Sequence, residues 1–177
     1  HLKRKRILID SINSNTILSL ITLANAESHN FTSESLFKNA TDTWNNNSYK
    51  KLYFWLKRKG LPIEDLYIAD ASGLSRSNRV TTNLIASFLY KMQFNNNYEF
   101  YASTLSIMGV RGTLANSLVN NKIKGKFFGK TGTLSNVFSL SGYFHKKDKI
   151  YSISIIQNSR LIDKNKILNL LNDLYDI

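Results

Sequence analysis

The sequence predicts an α+β domain in which an antiparallel sheet is flanked by helices. Three apolar strand patterns follow one another at residues 126–134, 137–145 and 149–157, with only two or three residues between neighbours. Connections this short join antiparallel strands in hairpins. Helical patterns precede these strands, and another follows them at 162–175. Because helices and strands are segregated along the chain, we expect a layered α+β domain.

The chain before the strands is predicted to be mostly helical. Apolar residues recur at helical spacing over residues 7–25, and a second helix is expected to open after Asn30, near Thr32. A third helix covers 44–59 and ends at Gly60, a residue type that commonly follows the last helical turn. The remaining predicted elements are a strand at 66–69, helices at 83–92 and 98–106, and a short helix at 114–119.

The composition is that of one globular domain. Of the 177 residues, 42% are apolar, which is enough for a single core. The chain has no cysteine, so it can form neither disulfides nor thiolate metal sites. No apolar run reaches the ~18 residues of a membrane span, and no signal-peptide pattern follows His1. We therefore expect a fragment or a processed piece of a longer protein, with no transmembrane segment in this chain.

The chain is strongly basic, with 24 Lys and Arg residues against 12 Asp and Glu and a formal net charge of +12. A charge of this size is typical of proteins that bind nucleic acid. Basic residues cluster at 3–6 and 57–59, but neither cluster has an RNA-binding signature or a zinc-finger spacing beside it. We therefore expect no nucleic-acid partner. A solvated basic surface, or attraction to an anionic polymer such as a cell wall, explains the charge.

The stretch Gly129–Leu134 carries the strongest candidate site. Lys130 and the hydroxyls of Thr131 and Thr133 can hold the carboxylate of a peptide end, and a backbone N–H can stabilise a developing oxyanion. Gly132 lets a substrate backbone approach closely. Strict alternation places Lys130 and Thr131 on opposite faces, a conflict that an edge strand relieves because both faces are accessible from an open edge. The alternative is a turn that only enters a strand.

Two further polar stretches are candidates for the same site. Ser28-His29-Asn30 falls at a helix-to-helix junction, where its Ser and Asn can point the same way while the His turns aside. The alternative is an ordinary helix end with capping side chains. The segment 70–78 is dense in hydrogen-bonding groups, as ordered functional loops are. Its alternative is a surface loop followed by an N-cap at Thr81 or Thr82.

Four motifs of this chain occur together in one protein family. They are Ser28-His29-Asn30, Asp70-Ala71-Ser72-Gly73-Leu74-Ser75-Arg76-Ser77-Asn78, Gly109-Val110-Arg111-Gly112-Thr113-Leu114 and Lys130-Thr131-Gly132-Thr133-Leu134-Ser135. In this combination the chain resembles the low-molecular-mass class C penicillin-binding proteins of peptidase family S13, which are D-alanyl-D-alanine carboxypeptidases and endopeptidases. The resemblance implies a penicillin-binding/β-lactamase-like (DD-peptidase) fold, of which residues 1–177 would be the C-terminal half, a partial domain.

The resemblance also implies catalytic roles. Ser28 would shuttle a proton between the nucleophile, a lysine and the leaving amine, and Asn30 would hold the substrate amide and the active-site lysine. Lys130 would set the local positive potential and support the proton transfer. Arg76 would brace its loop and would not contact substrate.

On the substrate side, the resemblance assigns the terminal carboxylate of D-Ala to Thr131 and Thr133. The N–H of Thr133 would form half of the oxyanion hole. Gly132 would permit close approach of the peptide, and Leu74 and Leu134 would help to line a pocket for the stem-peptide side chain.

The chain departs from the family pattern in its nucleophile motif. Family members carry Ser-x-x-Lys well upstream of Ser-x-Asn, whereas the two matches here, Ser35–Lys38 and Ser48–Lys51, follow Ser28 and lie in segments predicted to be helical. We reject both, so the chain is expected to be catalytically incomplete alone. His29 replaces a common Asp, and Ala71 replaces a common Gly, which matters only if its backbone needs a positive φ.

The predicted function is a serine D-Ala-D-Ala carboxypeptidase, with or without endopeptidase activity, that works through an acyl-enzyme and is inhibited by β-lactams. Its partner would be the peptidoglycan stem peptide ending in D-Ala-D-Ala, which implies a periplasmic or other extracytoplasmic location. Neither a metal nor an organic cofactor is expected. One alternative is a β-lactamase or esterase, which the 70–78 loop disfavours. The other is a non-catalytic wall-binding remnant.

Overall fold

A computed structural model of the chain describes residues 15–41, 48–118 and 122–176. The helices are α1 (Ile17–Ala26), α2 (Asn30–Ala40), α3 (Ser48–Arg58), α4 (Thr82–Met92), α5 (Tyr98–Ser103) and α6 (Lys164–Asp176). The strands are β1 (Ser106–Ile107), β2 (Phe127–Leu134), β3 (Val137–Lys146) and β4 (Lys149–Asn158). None of the described helices combines the length and the apolar character that crossing a membrane requires.

The strands form one sheet in the order β1-β2-β3-β4, and each neighbouring pair is antiparallel. The two hairpins turn at Asn136 and Lys147, which both have positive φ. The three predicted strands and their hairpin connections are confirmed, and each observed boundary lies within one residue of the predicted one. The predicted α+β class, with an antiparallel sheet flanked by helices, is therefore confirmed.

Both faces of the sheet are covered by helices. On one face, Phe138 and Leu140 of β3 are fully buried in a cluster with Leu171 of α6. On the other face, Tyr143 is buried with Leu89 of α4 and donates a hydrogen bond of 3.1 Å from its hydroxyl to the Leu89 carbonyl oxygen. Because side chains alternate along β3, neighbouring residues anchor opposite helices.

The first helix is shorter than the predicted span of 7–25. Extended backbone at Thr16 precedes α1, and the Thr16 hydroxyl accepts a hydrogen bond of 3.2 Å from the N–H of Ser19, so Thr16 is the N-cap. The predicted helical residues 7–14 and 44–47 lie outside the described part of the chain.

Side-chain caps also set the starts of α2 and α4. α2 begins at Asn30, earlier than predicted, because Nδ1 of His29 accepts the N–H of Thr32 at 3.3 Å. Of the two expected N-cap positions, Thr81 and Thr82, Thr81 caps α4, since its hydroxyl accepts the N–H of Leu84 at 3.1 Å.

The prediction of a helix over 98–106 is wrong in its last residues. α5 ends at Ser103, and the buried Ser106 begins β1. Arg111 explains the early end, because its Nη2 donates to the carbonyl oxygens of Ser103 at 2.5 Å and Leu105 at 2.6 Å. Carbonyls that lack helical partners are thus satisfied by the guanidinium group.

Two other short elements also differ from the predictions. Residues 66–69 form no strand, because their ladder contact is a single antiparallel bridge between Tyr67 and Arg79. The expected short helix at 114–119 does not form over the described residues 114–118, where a three-residue 3₁₀ turn at Gly112–Leu114 is followed by bends, and Val119 lies outside the described part of the chain. Each segment borders a polar or glycine-containing loop, 70–78 or 109–113, in which local propensity is weak.

Candidate active site

Half of β2 leaves one edge of the sheet open. β1 pairs only with Phe128 and Gly129, so within the described residues Lys130–Leu134 has a strand partner on one side only, which is β3. The expected edge position is confirmed for this half. Gly132 also serves packing inside the sheet, because a Cβ there would lie 2.5 Å from the hydroxyl oxygen of Ser139. The open edge can accept an extended peptide as an added strand.

Ser28 and Lys130 form the hydrogen-bonded centre of this edge. Ser28 lies between α1 and α2 with a φ of 59°, which is uncommon for a non-glycine residue. Nζ of Lys130 donates to Oγ of Ser28 at 2.6 Å and to the carbonyl oxygen of Thr131 at 2.6 Å. Burial lowers the pKa of Lys130. The lysine side chain thus folds back along its own strand, which lets Lys130 and Thr131 line the same cleft despite their alternation.

Asn30 connects the helix junction to the 70–78 loop. Its amide is satisfied in the orientation in which the nitrogen donates to the carbonyl oxygens of Ser28 at 3.1 Å and Ser72 at 3.2 Å. His29 turns aside, as expected, and caps α2. A histidine in place of the common Asp is therefore accommodated, because its ring nitrogen accepts the same kind of capping hydrogen bond.

The 70–78 loop is ordered around one carboxylate. Asp70 accepts four hydrogen bonds of 2.7–3.1 Å, from the Ser72 hydroxyl, the N–H groups of Gly73 and Ser75, and the side-chain amide of Asn78. Desolvation raises the pKa of Asp70, but the hydrogen bonds outweigh it and hold the pKa below its ordinary value. The expectation of an ordered loop is confirmed.

Two contacts attach this loop to the rest of the site. The N–H of Ala71 donates to Oε2 of Glu34 in α2 at 2.7 Å, and Nη1 of Arg76 donates to the carbonyl oxygen of Ser135 at 3.2 Å. Arg76 therefore braces the loop against the β2–β3 turn. Ala71 does not have a positive φ, so the replacement of glycine there introduces no backbone strain.

A chain of hydroxyls links β2 to the end of α1. The Thr131 hydroxyl donates to that of Thr113 at 3.0 Å, and Thr113 lies 3.2 Å from the Ser106 hydroxyl, which donates to the Ala26 carbonyl oxygen at 2.9 Å. Since the Ser106 proton is used for Ala26, Thr113 is the donor to Ser106. The turn packs closely at Gly112, where a Cβ would lie 2.5 Å from Ser106 and 2.6 Å from Ala26.

The predicted site residues all line one cleft with a volume of about 650 Å³. They are Ser28, Asn30, Leu74, Lys130, Thr131, Gly132, Thr133 and Leu134. Ser35 and Ser48 are not among the lining residues, and Ser48 is only 1% exposed. The described residues contain no group of three or more His, Cys, Asp or Glu side chains that could hold a metal ion. The structure thus brings residues of all four motifs together, since Thr113 of the Gly109–Leu114 motif also lines the cleft, and it keeps both rejected serines out.

Several cleft residues had no predicted role, and they include Thr113, Ser117, Phe138 and Lys164. Thr113 lies inside the Gly109–Leu114 motif, so a hydroxyl beside a glycine in that turn was the available signal. Lys164 lies far along the chain from all four motifs, at the start of a helix that carries no motif, so no sequence signal pointed to it. Its position follows from the packing of α6 on the sheet.

Comparison with known proteins identifies the family. A profile of the D-Ala-D-Ala carboxypeptidase 3 (S13) family matches residues 3–174. The chain belongs to this family. A D-alanyl-D-alanine carboxypeptidase of Actinomadura sp. (strain R39) is 33% identical over 104 residues, which are 56% of this chain and 19% of the relative. DacB, a D-alanyl-D-alanine carboxypeptidase of Haemophilus influenzae, is 31% identical over 90 residues, which are 50% of this chain and 19% of the relative. The S13 chain thus aligns with about a fifth of these relatives.

Solved structures share the fold of this S13 chain. Penicillin-binding protein 4 from Haemophilus influenzae, complexed with a β-lactam, has a TM-score of 0.76 at 22% identity and covers 89% of this chain and 40% of its own. A predatory endopeptidase from Bdellovibrio bacteriovorus has a TM-score of 0.73 at 17% identity, and the match covers 90% of this chain and 43% of the endopeptidase chain. The TLA-1 β-lactamase has a TM-score of 0.67 at 15% identity, and the match covers 91% of this chain and 63% of the β-lactamase chain. The predicted penicillin-binding/β-lactamase-like fold is confirmed.

Proposed function

We propose that the complete protein is a serine D-Ala-D-Ala carboxypeptidase that cleaves peptidoglycan stem peptides through an acyl-enzyme. The observation that carries this proposal is the 2.6 Å hydrogen bond from Lys130 to Ser28 beside the open edge of β2. It joins a proton-transfer pair to a surface that can hold an extended peptide. Membership of the S13 family and the two carboxypeptidase relatives support the same activity.

The substrate would lie along Lys130–Leu134 as an added strand. The hydroxyls of Thr131 and Thr133 provide donors for its terminal carboxylate, and the N–H of Thr133 would contribute to the oxyanion hole. Leu74 and Leu134, which both line the cleft, would contact the stem-peptide side chain. When a carboxylate binds, the Thr131 proton would turn from Thr113 to the substrate.

Ser28 would carry a proton to the leaving amine. Because Lys130 donates to Oγ of Ser28, the hydroxyl hydrogen of Ser28 must be directed at another acceptor. Ser28 can thus give its own proton to the leaving nitrogen and take one from Lys130, which the lowered lysine pKa favours. Attack by the nucleophilic serine, whose proton would pass to the lysine of its own Ser-x-x-Lys motif, would form the acyl ester as the peptide bond breaks and D-Ala leaves, and water would then hydrolyse the ester.

The nucleophile itself would come from a Ser-x-x-Lys motif outside these 177 residues. The exclusion of Ser35 and Ser48 from the cleft supports this part of the proposal. So does the length of the carboxypeptidase relatives, of which the aligned segments are 19%. Residues 1–177 would accordingly be the C-terminal half of the DD-peptidase domain.

The proposed chemistry also implies inhibitors and a location. A β-lactam presents a reactive carbonyl and a carboxylate, the two groups for which this cleft has donors, and a structure with the same fold is complexed with one. Since peptidoglycan lies outside the cytoplasmic membrane, the protein would act in the periplasm or another extracytoplasmic space.

Release of D-alanine from a synthetic peptide ending in D-Ala-D-Ala tests the proposal. The complete protein is expected to release D-alanine, and Ser28→Ala is expected to lower kcat about 10²–10⁴-fold, because the proton shuttle is lost. Ser87→Ala, at a half-buried position of α4 outside the cleft, is the matched control and should leave kcat unchanged. A protein that hydrolyses penicillin rapidly and releases no D-alanine would instead be a β-lactamase, and one that does neither would be a non-catalytic remnant.

A further inference from the structure

A second cation lies on the wall of the cleft at the start of α6. Lys164 is the first residue of this helix, and its Nζ lies 5.1 Å from the ring centroid of Phe138 in β3. Phe138 is the register partner of Thr133 across the β2–β3 pair. Side chains of paired residues project from the same face of a sheet. The ammonium group of Lys164 therefore lies on the Thr133 face of β2, over the cross-strand partner of Thr133.

Lys130 by itself does not offer a freely available charge to a substrate carboxylate. Its ammonium group is engaged by Ser28 and by the carbonyl oxygen of Thr131, and burial lowers its pKa. Among the described residues that line the cleft, Lys130 and Lys164 are the two basic side chains, and none is acidic. An anion in the cleft therefore has Lys164 as its more available cation.

No acidic side chain competes for Lys164 within the described part of the chain. The ion pairs found there involve other lysines. Asp163 is adjacent in sequence, but its Oδ1 accepts the N–H of Lys166 at 3.1 Å and its side chain does not line the cleft. The cation–π contact with Phe138 orients the Lys164 ammonium and leaves its hydrogen-bond donors available.

We propose that Lys164 binds the carboxylate of the residue that leaves, together with the hydroxyls of Thr131 and Thr133. The inference rests on the proposed carboxypeptidase function and adds a specificity determinant to it. Lys164 would make the enzyme prefer peptides with a free C-terminal carboxylate over the same peptides with a C-terminal amide. The partner is thus defined by its chemistry, an anionic group on the leaving side of the scissile bond.

The test compares a synthetic peptide ending in D-Ala-D-Ala with its C-terminal amide, using the complete protein. Lys164→Met keeps an unbranched apolar side chain over Phe138 and removes the charge. We expect kcat/KM for the acid to fall about three- to fivefold, mainly through KM, as for an exposed ion pair, with no change for the amide. Lys164→Arg should retain the preference for the acid, and added salt should weaken that preference in the wild type.

Lys166→Met, which removes a nearby charge from the same helix, is the matched control and should leave the acid-to-amide ratio unchanged. An equal loss on both peptides in Lys164→Met would indicate a structural effect and overturn the inference, as would an unchanged ratio. A wild-type protein that hydrolyses acid and amide equally well would overturn the inference while leaving the carboxypeptidase function intact. If the wild type releases no D-alanine and is not acylated by penicillin, the proposed function fails, and the role of Lys164 fails with it.

Discussion

Replacing Lys130 with Met is expected to slow acylation of the complete protein by penicillin about 10³-fold. Methionine is similar in length but cannot donate the hydrogen bond to Ser28 that the lysine makes at 2.6 Å. Because the change removes a charge from a partly buried position, the free energy of unfolding should not fall. The measurements are a time course of labelling with a fluorescent penicillin and thermal unfolding of the same sample.

The lowered pKa of Lys130 gives this variant a second expected property. Between the lowered pKa and the ordinary value of about 10.4, the unfolded state binds more protons at this position than the folded state does. The contribution of Lys130 to the free energy of unfolding therefore rises with pH through that interval. When the free energy of unfolding is measured against pH, the wild type should show this rise and Lys130→Met should lack it.

Lys126→Met is the control for the labelling experiment. Lys126 is exposed and immediately precedes β2, so its replacement removes the same charge without touching the cleft. We expect its labelling rate to equal that of the wild type. A rate for Lys130→Met within about threefold of the wild type would show that this lysine takes no part in acylation.

Gly112→Ala is expected to destabilise the domain by about 2–5 kcal/mol and to slow acylation as well. Gly112 has a φ of 69°, which costs an L-residue about 1–2 kcal/mol. A Cβ there would also lie 2.6 Å from the backbone oxygen of Ala26 and 2.5 Å from the Ser106 hydroxyl, and overpacking of this kind costs about 1–3 kcal/mol. Ala26 is two residues before Ser28, so relief of the clash would displace the catalytic junction.

Gly125→Ala separates the cost of the backbone conformation from the clash. Gly125 has a φ of 72°, but a Cβ there would meet nothing within 4 Å. We expect this variant to lose only the conformational term and to keep its acylation rate. Urea unfolding and penicillin labelling of both variants check the prediction. Equal losses in the two variants would contradict the proposed contact of Gly112 with the end of α1.

The sheet could be predicted from sequence because its information is local. In β2, β3 and β4, alternating apolar residues and short hairpins lie within about ten residues of one another. β1 could not be predicted in this way. It has two residues, its partner strand lies some 20 residues further along, and the end of the preceding helix depends on the Arg111 side chain. The helix predicted over 98–106 therefore extends beyond the observed end of α5 at Ser103.

The site shows the same division between local and tertiary information. Motif identity predicted the cleft residues, but the contact between Ser28 and Lys130 spans 102 positions, and no local pattern contains it. Thr113 acquires its place through hydroxyl partners on other elements. Lys164 reaches the cleft only because α6 packs across Phe138. Residues of this kind are visible only once the layers have been assembled.

Mass mapping of the serine that penicillin acylates tests most directly whether this chain supplies one half of a composite active site. In the complete protein, the penicilloyl group is expected on the serine of a Ser-x-x-Lys motif outside these 177 residues. The label should be lost in a Ser→Ala variant of that motif and strongly reduced in Lys130→Met. Acylation at Ser35 or Ser48 would contradict this assignment, because neither side chain lines the cleft that holds Ser28 and Lys130.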